Sequence, residues 1–204
     1  GDAVLTADWF WGPYNALCQN IGRRLETFSL FDDTLSFHAA AFTAKVDALL
    51  EKQDSLLIIL NTPAHNPTGY SLSEADWDAV LAAVQKHAKK GKRLSILVDI
   101  AYIEYSGTKD ETRKFMEKFA NLPENVFVMF AFSMSKAYTF YGQRTGAIVG
   151  LSASRAVIEE FTDVNKFSSR ATWSNVNRGA MALLAAIQQD AALLAQFEKE
   201  RGAL

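Results

Sequence analysis

Four polar runs follow apolar stretches in this 204-residue chain, and their residue types could do chemistry together. Leu56–Leu60 leads into Asn61-Thr62-Pro63-Ala64-His65-Asn66-Pro67-Thr68-Gly69, and Leu94–Val98 into Asp99-Ile100-Ala101-Tyr102. Val126–Phe132 leads into Ser133-Met134-Ser135-Lys136, and the next turn ends in Gly142-Gln143-Arg144. Open α/β sheets collect ligands beyond the carboxyl ends of their strands, so these are candidate site residues. A carboxylate such as Asp99 beside an apolar run is costly unless a cation or strong donor meets it. Lys136 sits among Phe132, Met134, Tyr138, Phe140 and Tyr141. Apolar surroundings favour the neutral amine of a lysine, the form that condenses with a carbonyl to a Schiff base. Spacing alone leaves a second reading open, in which Asp99 and Lys136 form a structural salt bridge.

These residues need elements to carry them. Ala3–Thr6 and Arg24–Ser29 read as strands, as do Leu56–Leu60, Leu94–Val98, Val126–Phe132 and Gly146–Leu151. The continuous run at 56–60 suits a strand covered on both faces. His38–Gln53 has helical spacing, with Ala41, Ala44, Ala48 and Leu49 on one side. Ser73–Lys90 is the clearest helix. Ser73 and Asp76 form a capping-box pair, Trp77, Val80, Leu81 and Val84 the apolar stripe, and Gly91 the stop. Lys109–Ala120, Ser154–Lys166 and Ser174–Arg201 also read as helical. Alternating strands and helices predict a three-layer α/β/α fold with a mainly parallel sheet. The step from Phe132 to Gly146 is too short for a crossover helix, so Gly146–Leu151 is expected to run antiparallel.

Composition narrows the function classes. A net charge of -2 without like-charge blocks disfavours nucleic acid as a partner. The apolar runs are too short to cross a bilayer, so no membrane role is expected. Cys18 cannot form an internal disulfide and no Cys/His cluster suggests a metal; a buried thiol in a reducing, cytoplasmic setting fits. His38 and His87 read as surface histidines.

Asn-Pro-Thr-Gly (66–69), Asp-x-Ala-Tyr (99–102), Ser-x-Ser-Lys (133–136) and Arg-x-Gly (144–146), in this order and spacing, resemble the class I/II aminotransferases of fold type I, which use pyridoxal 5'-phosphate (PLP). The resemblance covers essentially the whole chain and leans toward the aspartate/aromatic branch. It implies a transaminase that moves an amino group between an L-amino acid, dicarboxylic or aromatic, and a 2-oxo acid. Lys136 would hold PLP as a Schiff base and carry the proton in catalysis. Asp99 would meet the pyridine nitrogen, Asn66 and Tyr102 the ring's phenolate oxygen, and Ser133, Ser135 and Arg144 the phosphate. Trp11, in Trp9-Phe10-Trp11-Gly12-Pro13-Tyr14, would stack on the ring, with a core tryptophan as the alternative. His65 would support the site from behind. Arg170, in Arg-x-x-x-Ser-Asn, would reach the partner's site in a homodimer and bind a substrate's side-chain carboxylate; the alternative is an exposed arginine at a helix start. Asn177 stands where proline is frequent.

The resemblance also implies that residues 1–204 are the PLP-binding large domain of a longer chain. The glycine-containing phosphate loop would precede it and a small domain with the α-carboxylate arginine would follow, so the segment alone is expected to be nearly inactive, with its site partly open to water. A PLP-dependent lyase, or the aminotransferase-like sensing domain of a regulator, are the competing readings.

Overall fold

The computed structural model describes residues 1–203. In chain order the elements are β1 (Ala3–Ala7), α1 (Pro13–Asn20), β2 (Arg24–Phe28), α2 (Ala39–Leu50), β3 (Ser55–Asn61), α3 (Glu74–Ala88), β4 (Arg93–Asp99), β5 (Val126–Ser133), α4 (Met134–Ala137), β6 (Gly146–Leu151), α5 (Arg155–Thr172), α6 (Arg178–Gln189) and α7 (Ala191–Arg201). Short 3-10 turns lie at Ile103–Tyr105 and Tyr141–Gln143, and a longer one at Glu111–Phe119.

The strands form one sheet in the order β2-β1-β3-β4-β5-β6. All neighbours are parallel except β5 and β6, which run antiparallel as the short connection required. At this pairing Gly146 faces Ser133, and a Cβ on it would come 2.4 Å from the Phe132 carbonyl oxygen, so no side chain fits.

The pleat sends alternate residues to opposite faces. Leu5, Ile58, Ile96 and Val128 enter the main core with Phe42 and Val46 of α2 and Trp77, Val80 and Val84 of α3. Val4, Leu57, Ile59 and Leu97 face the other way and pack with Tyr14 and Cys18 of α1. On that face Phe127 meets Phe161 of α5 at 5.1 Å. Helices on both faces complete the three-layer α/β/α architecture.

Ser73 caps α3 as expected: its hydroxyl accepts from the Asp76 amide at 3.2 Å, while Asp76 accepts from the Ser73 amide at 2.8 Å. Gly91 ends that helical run at φ +81°. On α2, however, the buried face is Phe42, Val46, Leu49 and Leu50, and Ala44 and Ala48 are exposed. The bulkier side chains remove more apolar area from water and win the inward positions.

Three further expectations change. The stretch expected as a helix over 109–120 is a 3-10 helix over Glu111–Phe119. In a 3-10 helix residues three apart eclipse, and here Thr112 and Phe115 are buried while Lys118 pairs with Glu74 and Asp78 of α3. The helix expected to end at Lys166 runs on to Thr172. The single helix expected over 174–201 is two, α6 and α7, bent by 104°. Asp190 makes the break, leaving the helical region and accepting from the amides of Ala192 and Leu193 at 2.9 and 3.0 Å. Asn177, in place of the frequent proline, caps α6 through the Ala180 amide. Among the described residues no single helix is long and apolar enough to cross a membrane.

Candidate active site

Asn61 pairs with Asp99 and Asp99 with Ala131, so one row of the sheet crosses the ends of β3, β4 and β5. These positions share the pleat direction of Ile59 and Leu97, toward α1. A cleft of about 230 Å³ opens there, lined by residues of four segments that include Trp11, Asn66, Asp99, Tyr102, Ser135, Lys136 and Arg144. Eight of the expected site residues, Trp11, Asn66, Asp99, Tyr102, Ser133, Ser135, Lys136 and Arg144, thus line a single cleft.

Each is placed by local structure. Lys136 lies on the single turn of α4, whose neighbours Met134 and Ala137 are 1% and 0% exposed and anchor the turn in the interior. Tyr105 donates to the Lys136 carbonyl at 2.9 Å. The Lys136 amine lies 4.9 Å from the centre of the Tyr141 ring and is only half-buried. No Asp or Glu pairs with it among the described residues, so the structural salt bridge with Asp99 does not form. Asp99 instead accepts from the Tyr14 hydroxyl at 2.5 Å and from the Ala101 amide at 3.1 Å.

Arg144 adopts the left-handed conformation, φ 50° and ψ 48°, uncommon for a residue with a side chain. This turns its guanidinium back onto the Ser135 hydroxyl at 3.1 Å and the Tyr141 carbonyl at 3.0 Å. A guanidinium beside a serine hydroxyl suits the oxygens of a phosphate. Trp11 is 44% exposed and lines the cleft, which corrects the alternative of a core tryptophan. Trp9 does not line it.

Asn61 makes the row rigid. Its side-chain oxygen accepts from the Asn66 amide at 2.7 Å, and its side-chain nitrogen donates to the Asp99 carbonyl at 2.8 Å. His65 is buried outside the cleft, beside a small cavity of about 20 Å³. Its Nδ1 lies 2.8 Å from the Thr68 hydroxyl, and burial pushes its imidazole below the ordinary histidine range.

Arg170 is not brought to the cleft. It lies in the last turn of α5, not at a helix start, and donates to the Ser174 hydroxyl at 2.7 Å. His87, expected at the surface, is 5% exposed and 2.6 Å from Asp47, because its turn of α3 packs against α2. His38 is half-buried, with an Nδ1 that has no hydrogen-bond partner among the described residues. Cys18 is buried, as expected.

Sequence reasoning missed Tyr14 and Tyr141, and it placed Asn61 in a candidate run without giving it a role. Asn61 was visible as a polar residue closing the apolar run 55–60. Tyr14 had only its nearness to Trp11 as a signal, because α1 itself was not anticipated. Tyr141 was counted only as apolar surroundings.

A cleft at the carboxyl ends of parallel strands, with a lysine, a carboxylate and an anion-suited arginine lining it, has the groups that an anionic carbonyl ligand would need. The chain belongs to the class I and II aminotransferase family, whose model matches residues 1–204. It is 27% identical to an aspartate aminotransferase and 29% identical to an aromatic-amino-acid aminotransferase, both of Pseudomonas aeruginosa, each alignment covering 98% of this chain and 48% of the relative. A crystal structure of an aminotransferase from Anaerococcus prevotii superposes with a TM-score of 0.95 at 40% identity, covering all of this chain and 50% of that one. An aromatic-amino-acid aminotransferase from Burkholderia pseudomallei, solved covalently bound to pyridoxal phosphate, superposes at 0.83 with 25% identity, covering 98% of this chain and 48% of that one. The chain therefore spans about half the length of the relatives it matches.

Proposed function

We propose that this chain forms the PLP-binding large domain of an aminotransferase that moves an amino group between an L-amino acid and a 2-oxo acid. The observation that carries the reading is the convergence of Lys136, Asp99 and Arg144 on one cleft, with the Lys136 amine free of any acidic partner among the described residues. The donor set fits PLP. Asp99 offers a carboxylate to the protonated pyridine nitrogen, and Asn66 and Tyr102 offer donors to the phenolate oxygen. Ser133, Ser135 and Arg144 would hold the phosphate, and the Trp11 indole would offer a flat face to the ring. When bound, PLP supplies an electron sink for charge developing at the substrate's α-carbon. Lys136 would hold the cofactor through its amine, and the same amine would move the proton at that carbon. Asp99 would keep the ring nitrogen protonated, and Tyr102 would hold the ring through its phenolate oxygen.

The substrate class is dicarboxylic or aromatic, in keeping with the relatives, and Arg170 would receive a side-chain carboxylate across a homodimer interface. Val164, Phe167, Trp173 and Val176, on α5 and just beyond it, are 54% to 78% exposed, an apolar surface that a second copy would cover. A cytoplasmic setting suits the single free cysteine.

Borohydride reduction of the protein incubated with PLP tests the cofactor assignment. We expect one pyridoxyl adduct, on the peptide carrying Lys136, and none in Lys136→Ala. An adduct on another lysine, or none, overturns the assignment. Addition of L-aspartate or L-phenylalanine to the loaded full-length protein should yield pyridoxamine phosphate and the matching 2-oxo acid. Release of ammonia with pyruvate from a thioether substrate would mark a lyase instead.

A further inference from the structure

Tyr14 belongs to none of the polar runs that line the cleft, yet it makes the shortest contact to Asp99. It sits on α1, 4% exposed, in the cluster with Val4, Cys18 and Ile59. The Trp11 ring meets it edge-on at 5.6 Å and 84°. Its hydroxyl reaches Asp99 Oδ2 at 2.5 Å, while Asp99 Oδ1 takes the Ala101 amide at 3.1 Å. Burial, then the adjacent Asp99 charge, raises the phenol far above its ordinary value, so the hydroxyl keeps its proton and acts as a donor.

Each carboxylate oxygen thus has one fixed donor, one from α1 and one from the backbone after β4. A carboxylate held at both oxygens cannot rotate, and only its remaining lone pairs are directed at the cleft. Trp11 lies just before α1, so the entry to this one short helix places both the indole and the hydroxyl that holds the acid.

We propose that Tyr14 is a positioning residue that holds the Asp99 carboxylate in the orientation that meets the ring nitrogen of PLP. This rests on the cofactor reading above. The Tyr14 ring fills its site without the hydroxyl, so Tyr14→Phe removes the donor and keeps the packing.

The test is the affinity of the full-length protein for PLP and for 1-deazapyridoxal phosphate, in which a C–H replaces the ring nitrogen. Tyr14→Phe should weaken PLP about tenfold, or about 1.4 kcal/mol, and change the analogue less than about twofold. Cys18→Ala perturbs the same apolar cluster without touching Asp99 and should leave the ratio of the two affinities as in the unaltered protein. Equal weakening of both compounds by Tyr14→Phe, or no change in either, overturns the proposal. An unaltered protein that takes up neither compound overturns the cofactor reading itself and the proposal with it.

Discussion

His65 shows how burial sets the chemistry of one side chain. The cost of desolvation lowers its proton affinity, and the pull of the Trp9 backbone, Asp8 and Asp99 opposes this only in part. The folded protein therefore disfavours the charged imidazole. Its stabilising contribution is full above the unfolded value of about 6.5 and is lost as pH falls through the lowered folded value. Ring-proton NMR should place the His65 midpoint below about 6.5; a midpoint at or above that figure would show that the acids, not burial, control it. The site residues were legible at this scale because a lysine, an aspartate and serines rarely follow apolar runs without a reason. Tyr14 was not, because a tyrosine next to a tryptophan reads equally well as packing, and only the fold shows which acid lies above it.

At the scale of elements, the turn that bears Lys136 depends on the end of the chain described here. Tyr138 stacks on Phe197 of α7 at 5.1 Å, and Gln188 of α6 donates to the Tyr138 hydroxyl at 3.0 Å. Arg201 reaches Glu104 at 3.1 Å, tying α7 to the turn after β4. The bend at Asp190 makes these contacts possible. Removing its cap in Asp190→Ala should cost ~1 kcal/mol, measured by urea unfolding, with faster hydrogen exchange in the first turn of α7. A change below a few tenths would show that packing, not the cap, sets the bend. This break was illegible in sequence because Ala-rich stretches on either side favour helix equally, and one aspartate reads as tolerated until its side chain is seen to accept from two amides. The strands and α3 were legible, since runs such as 56–60 and the Ser73–Asp76 cap state their periods and ends locally. The winding of 111–119 was not, because contacts with α3 decide it. α1 escaped notice because its Pro13 start has no polar cap and its apolar face is only Tyr14 and Cys18.

For the molecule as a whole, stability rests on the side of the sheet away from the cleft. Trp77 is 1% exposed, stacked on Phe115 at 5.2 Å and edge-on to Phe119. Trp77→Ala should lose about 3–5 kcal/mol, read from the urea midpoint; a loss under about 1 kcal/mol would mean that the core collapses around the gap. The opposite face carries a smaller cluster around α1, whose Tyr14 holds Asp99 of the cleft. The shared row of Asn61, Asp99 and Ala131 has a consequence for how such a protein can change over time. Because strand side chains alternate with a period of two, one residue added inside β3 or β4 upstream of the row would turn Asn61 or Asp99 to the far side of the sheet. Length variation among descendants of this chain should therefore gather in the surface connections and spare the interiors of those strands, while point changes there remain open.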